Sequence, residues 1–216
     1  MKVLVACEES QEVCKAFRAR GHEAYSCDIQ ECSGGHPEWH IQGDVIPLLN
    51  GNCHFVTVGG ADVVINGKWD LIIAHPPCTY LSCAGAERTF RKDGQILDKA
   101  RYDKAMAARE FFMTILNCEC EHVCVENPCI MRKKFSIPKY DQIIHPYEHG
   151  HPWHKRTALW LRGLDKLVPT VIVEPSGYWV QRSGQRELGF TGGHRDPKMR
   201  SKTFPGIAKA MAEQWG

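Results

Sequence analysis

The stretch KVLVACEESQEVCKAFRARGHEAYSCDI, residues 2–29, decides the fold. It opens on a short apolar run, carries Val13, Ala16 and Phe17 on one helical face, and stops that face at Gly21 before a second apolar run ends on Asp28. Two apolar runs flanking one amphipathic helix read as a β-α-β unit, the building block of a parallel sheet with helices packed on it. Asp28 follows the first run by about twenty residues, the position from which a carboxylate holds a ribose hydroxyl in nucleotide-binding sheets. The glycine pattern that usually accompanies such an acid is missing, because the first turn reads ACEESQEV.

The same grammar continues along the chain. WHIQGDVIPLL, residues 39–49, supplies a third strand with Asp44 behind Gly43, and WDLIIAHPPC, residues 69–78, is the clearest buried strand. Prolines fix φ and donate no N–H, so Pro76 and Pro77 make a stiff turn that holds Cys78 at the carboxyl edge, where open α/β sheets bind ligands. Residues 98–117 place Ala105, Ala108, Phe112, Ile115 and Leu116 near helical spacing and predict a long helix. HVCVENP, residues 122–128, is again an apolar strand that stops at an acid, an amide and a proline, bringing Glu126 and Asn127 to the edge that carries Cys78. RTALWLRG, residues 156–163, is a late strand, and PGIAKAMAEQW, residues 205–215, is a closing helix with Ile207, Met211 and Trp215 on one face. Between them, residues 174–203 are glycine-rich, basic and without hydrophobic period, and read as a long surface excursion.

Bulk properties narrow the classes. A chain of 216 residues suits one domain spanning residues 1–216, and a formal charge of +2 leaves any nucleic-acid binding to local patches. The eleven cysteines are odd in number, and Met1-Lys2 runs straight into strand-like residues without a signal peptide. Free thiols in a reducing cytoplasm are therefore expected rather than a disulfide scaffold. No apolar run approaches the ~20 residues that span a bilayer, so no membrane association is expected.

Asp28, the Pro-Pro-Cys turn and Glu126-Asn127 thus converge on one sheet edge. A thiolate beside a carboxylic acid suits addition to an electron-poor ring in which the acid protonates a ring nitrogen as sulfur adds, and cytosine at C6 is such a ring.

On Pro77-Cys78, Glu126-Asn127 and the later GHPWHKRTALWLRG, residues 150–163, the chain resembles the DNA cytosine-5 methyltransferases, and more closely their short phage and prophage versions. The resemblance implies a Rossmann-like α/β fold of the S-adenosylmethionine-dependent methyltransferase kind, mainly parallel with helices on both faces and a hairpin near its end. It makes Cys78 the nucleophile, Glu126 the proton donor to N3, Asn127 the residue that orders the turn, and Arg156 and Lys155 contacts to the target. It implies S-adenosylmethionine as cofactor, with Asp28 at its ribose, Asp44 near its adenine, Cys7, Glu8 and Ser10 along its methionine, and Pro76 at the same site. It implies double-stranded DNA as partner, with the target base flipped out, in the cytoplasm of a bacterium or a phage-infected host. The nucleic-acid contacts assigned beside Lys155 are Thr79 and Arg88 near the nucleophile, and Arg182, Arg186, Arg195 and Lys198 in the excursion. The chain departs from the family in CEESQ for the glycine-rich loop, Thr79 for the usual Gln and Pro128 for the usual Val. Residues 174–203 stand where a sizeable target-recognition domain is normal, which leaves room for a separate recognition subunit.

Other readings stay open at this point. Cys27, Cys32, His36 and His40, or His145, His149, His151 and His154, have spacings that could ligate zinc; the first set would enclose Asp28, so a metal-free site is the expectation. An amino-methyltransferase acting on cytosine N4 or adenine N6 also uses a Pro-Pro turn, but His75 and Cys78 flank it here. A C5-type enzyme with another acceptor or a modified donor, and a DNA-binding relative without turnover, complete the set.

Overall fold

The computed structural model describes residues 1–128, 130–176, 178–180, 186–188 and 201–216. Strand β1 (Lys2–Ala6) is covered on both sides: Leu4 and Ala6 enter one apolar core, Val3 and Val5 the other. That double cover is why its residues are apolar in succession rather than alternating. Helix α1 (Glu12–Ala19) buries Val13, Cys14 and Phe17 and returns the chain to β2 (Glu23–Asp28), parallel to β1. Strand β3 (His40–Gln42) pairs parallel with β2. A detached antiparallel hairpin follows, β4 (Cys53–Val56) with β5 (Asp62–Ile65). Strand β6 (Leu71–Ala74) then enters on the other side of β1, again parallel.

After β6 come the short α2 (Ala86–Thr89) and the long α3 (Lys99–Leu116), whose N-cap Asp98 accepts from the Arg101 amide at 2.9 Å. Strand β7 (Val123–Pro128) lies parallel to β6. Strands β8 (Gln142–Ile144) and β9 (Thr157–Arg162) close the sheet as an antiparallel pair, β9 running against β7. Within the excursion, β10 (Tyr178–Val180) pairs with β11 (Arg186–Leu188), so the segment expected to be unpatterned contains a short hairpin. Helix α4 (Pro205–Trp215) ends the chain with Ile207, Met211 and Trp215 buried. A Cβ on Gly206 would collide with the His149 carbonyl, so only glycine lets α4 start this close to the turn before β9.

The seven strands run β3-β2-β1-β6-β7-β9-β8. One core, with α1 and α4, contains Val5, Phe17, Ile73, Leu159 and Trp215; the other, with α3, contains Ile72, Phe112, Val125 and Trp160. Phe112 meets Trp160 edge-on at 5.0 Å, fixing α3 against the β7–β9 pair. The architecture is the Rossmann-like α/β arrangement expected, with helices on both faces and a reversed strand near the end. No helix among the described residues is long and apolar enough to cross a membrane.

Candidate active site

The parallel strands β1, β2, β6 and β7 end at one edge, and their next residues make the site. Ala74 is in register with Val125, so His75 and Glu126 are the first side chains beyond the paired level. His75 lies on the α1/α4 face with Ile73, Glu126 with Cys124. They meet: His75 Nδ1 lies 2.8 Å from Glu126 Oε2, with 11 % and 14 % of their side chains exposed.

Burial lowers the His75 pKa, but the Glu126 hydrogen bond and charge, with Glu8 behind, outweigh it and raise the net value; Lys155 opposes them weakly. Burial raises the Glu126 pKa, and the His75 hydrogen bond and charge, helped by Lys155, turn the net shift downward. Each partner thus favours the charged form of the other, imidazolium beside carboxylate. His75 Nε2 is buried without a hydrogen-bond partner.

The next residue on β7 works on the opposite face. Asn127 is buried and its Nδ2 donates to the Pro76 carbonyl at 2.7 Å, pinning the Pro-Pro-Cys turn to the neighbouring strand. Cys78 is half-buried, and its carbonyl accepts from the amides of Leu81 and Ser82 at 3.1 and 2.8 Å, so the nucleophile candidate opens a tight turn. Thr79 is exposed, and its carbonyl accepts from Arg101 Nη2 at 3.0 Å, tying that turn to α3. Arg88 is exposed on α2.

Cys7, Asp28 and Asp44 gather at the ends of β1, β2 and β3. Burial above all, then Asp28, Cys27 and Asp44, pushes the Cys7 thiol up. Asp28 Oδ1 accepts from the Gln30 amide at 2.9 Å and Asp44 Oδ1 from the Ile46 amide at 3.0 Å, so both carboxylates sit on their own local turns. Glu8 is held differently. Its two oxygens accept from the first-turn amides of α1, Val13 at 2.6 Å and Cys14 at 3.2 Å, so a protein carboxylate fills the helix end where a ligand anion would otherwise bind. Burial raises the Glu8 pKa, against the pull of His75 and of those two amides.

The turn that replaces the glycine loop carries two left-handed non-glycine residues, Cys7 at φ 59° and Gln11 at φ 58°. Each costs about 1 kcal/mol. The buried Gln11 amide offsets this by hydrogen bonding: Nε2 donates to Ser26 Oγ at 3.1 Å and the His36 carbonyl at 2.9 Å, and Oε1 accepts from the His36 amide at 3.0 Å and the Cys32 thiol at 2.8 Å. Ser10 is buried beneath this segment.

Not every candidate joins the cluster. Lys155, half-buried with its Nζ 5.7 Å above the Phe204 ring, is the cation that acts on both Glu126 and His75. Arg156 is exposed and turned instead to the Tyr140 hydroxyl at 3.1 Å. A narrow cleft beside Glu126 is lined by Lys155, Thr157, Thr203, Phe204 and Ile207. A larger open basin of about 500 Å³, between Lys15, Arg18, His22, His36 and Trp39, lies toward the amino ends of the strands, away from this chemistry. Arg182, Arg195 and Lys198 lie outside the described residues, and Arg186 is described only as backbone in β11.

The zinc spacings do not gather into centres: among the described residues, no group of three or more His, Cys, Asp or Glu could hold a metal ion. Cys32 bonds to Gln11, His36 stacks on Trp39 at 3.9 Å, and His40 is held between Ser26 Oγ at 2.9 Å and the Gln30 carbonyl at 3.1 Å. His145 stacks on His154 at 4.2 Å, and burial, then His154 and Arg156, push its pKa down to about 4.

The residue that sequence reasoning passed over is His75, noted there only as an odd neighbour of the prolines. Its signal was present: a histidine ending a buried strand beside another strand that ends on an acid.

Strand order and the reversal of β9 define the class, a Rossmann-like α/β fold with one reversed strand near its end. No family model matches the chain, and no curated protein matches it. Solved structures do. A prophage-encoded E. coli protein described as a DNA modification methyltransferase has a TM-score of 0.46 at 14 % identity, over 81 % of this chain and 52 % of its own. The Entamoeba histolytica methyltransferase EhMeth gives 0.44 at 12 % identity, over 82 % and 57 %. A Spodoptera frugiperda DNMT2 mutant gives 0.39 at 14 % identity, over 82 % and 56 %. The chain spans little more than half the length of these structures.

Proposed function

We propose that this chain transfers a methyl group from S-adenosylmethionine to C5 of cytosine in double-stranded DNA, with Cys78 as nucleophile and Glu126 as the group at N3. The observation that supports the reading is the joining of the two strand ends: Asn127 holds the Pro76 carbonyl at 2.7 Å, while Glu126, one residue before, lines a narrow cleft on the other face of β7. A rigid turn presents sulfur, and the acid lies on the strand beside it.

Asp28 fits the hydroxyl-bearing end of the donor, since a carboxylate at the end of β2 accepts from ribose, and Asp44, at the end of β3, stands on the adenine side. The first turn of α1 does not fit the donor's carboxylate, because Glu8 fills it. When bound, the donor supplies an electrophilic methyl. The chain's own residues align the base: Lys155 and Glu126 meet its polar edge, Phe204 offers an aromatic face, and Cys78 adds to C6. Thr79, Arg88 and the cations of the excursion, Arg182, Arg186, Arg195 and Lys198, are the proposed DNA contacts, with a separate subunit supplying sequence recognition and the cytoplasm as the setting. The test is incubation of purified protein with S-adenosylmethionine and unmodified duplex DNA, then nuclease digestion and mass spectrometry with chromatographic separation of the isomers. 5-Methylcytosine is expected; N4-methylcytosine or N6-methyladenine would overturn the mechanism.

Glu8 favours one second reading, a C5-type enzyme with a modified donor whose amino-acid end is held elsewhere. Calorimetry with S-adenosylmethionine separates the two, because submillimolar binding supports the ordinary donor and no heat supports the modified one.

A further inference from the structure

We propose that His75 is a positioning residue that stores a proton behind Glu126 and delivers it through that carboxylate to N3 of the target cytosine as Cys78 adds to C6. The inference rests on the cytosine reading and deepens it.

The geometry gives the proton one exit. His75 Nδ1 is 2.8 Å from Glu126 Oε2, while Nε2 is buried and makes no hydrogen bond. A proton therefore enters or leaves the imidazole through Glu126. Glu126 lines a narrow cleft with Lys155, Thr157 and Phe204, and His75 is not part of that lining. The charged groups facing the ring are Glu126 from β7, Glu8 from the turn into α1, and Lys155 ahead of β9. Two of the three are acids, and they favour the imidazolium.

The chemistry needs this store. A carboxylate held below its usual range carries almost no proton at neutral pH, whereas a histidine held above its usual value keeps its proton to higher pH than a free imidazole does. As the Cys78 thiolate bonds to C6, the C5–C6 π pair becomes a C4–C5 bond and the C4–N3 pair settles on N3. The Nδ1 proton of His75 passes to Glu126 and from Glu126 to N3, so that the imidazole is left neutral, Glu126 is again a carboxylate and N3 carries the proton. The proton returns along the same path when the adduct collapses.

The test is covalent trapping in the presence of S-adenosylmethionine on duplex DNA containing 5-fluorocytosine, whose fluorine blocks the elimination that follows methyl transfer to C5, measured against pH for the unaltered protein and for His75→Gln. In the unaltered protein, trapping should slow on the alkaline side as His75 loses its proton. In His75→Gln it should be at least tenfold slower at neutral pH and lose that alkaline limb. Equal rates, or an alkaline limb kept in the variant, would overturn the inference while leaving the cytosine reaction intact. No trapping by the unaltered protein would instead overturn the cytosine reading, and the inference with it. Nitrogen-15 NMR of the histidine rings needs no substrate and covers a misfolded variant: His75 should be imidazolium at neutral pH in the unaltered protein and neutral in Glu126→Gln. A His75 ring already neutral in the unaltered protein would also overturn it.

Discussion

Asn127 Nδ2 donates to the carbonyl of Pro76 at 2.7 Å across two adjacent parallel strands. Proline cannot donate to a sheet ladder, so the ladder between β6 and β7 would otherwise stop at this level, just where Cys78 must be placed. The amide side chain continues the cross-strand pairing where the backbone no longer does.

Removing that bond should be felt in stability and in rate. Asn127→Ala leaves the Pro76 carbonyl without its partner and should cost about 1–3 kcal/mol, read as a lower urea midpoint with unchanged slope. Asn127→Asp should do no better, since a carboxylate cannot donate to a carbonyl.

Cys78→Ala should abolish methyl transfer and covalent trapping while leaving donor affinity within a few fold, because Asp28 and Asp44 lie on other strands. Calorimetry for binding and mass spectrometry for product check the two halves separately. Persistent 5-methylcytosine formation would remove the covalent route.

The ion pair between His75 and Glu126 sets a pH window. Glu126 is lowered from 4.5, so its contribution is complete above 4.5 and fades as pH falls through the lower folded value. His75 is raised from 6.5, so its contribution is complete below 6.5 and fades as pH rises through the higher folded value. The stability difference between the unaltered protein and His75→Gln should peak between those limits, at about 1–3 kcal/mol, and shrink on both sides. Glu8, raised from 4.5 chiefly by burial, acts in the opposite sense in acid, and more strongly in His75→Gln, where the His75 charge no longer opposes the rise. Urea midpoints across pH 3–9 read the curve.

Gln11 separates backbone from side chain. Gln11→Ala loses the buried amide's bonds and keeps a left-handed φ of 58°, whereas Gln11→Gly loses the same bonds but relieves the backbone. The alanine variant should be the less stable by about 1 kcal/mol, the reverse of the order in a helix interior. Urea unfolding of the two variants side by side checks the order.

Much of this was legible in the residues, for reasons that differ by element. The long helix was expected over residues 98–117 and spans Lys99–Leu116, because its apolar spacing and its Asp98 cap point the same way. The closing helix matches as well, with proline at its start. The β4–β5 hairpin escaped because the exposed Val56, Val58 and Val64 blur the face on which Phe55 and Ile65 are buried; the Gly59-Gly60 turn was its one local signal. Strand β8 is three residues long and depends on pairing with β9, so no local pattern announces it. At the site, the residue types were readable but their partners were not. That Glu8 would turn inward onto α1, and that Lys155 rather than Arg156 would face Glu126, depends on which way each side chain leaves its turn.

The thiols carry a last practical consequence. Six of them, Cys7, Cys14, Cys27, Cys53, Cys120 and Cys124, are pushed up chiefly by burial, Cys27 to about 12 and Cys120 to about 11. Such sulfurs resist deprotonation, and Cys14, Cys27, Cys120 and Cys124 among them are also buried. The loop after β6 carries Cys78 half-buried and Cys83 exposed. A fluorescent dye should therefore attach first at Cys83, ahead of the half-buried Cys7, Cys32, Cys53 and Cys78, and pre-incubation with DNA would show as protection of the labelled peptide.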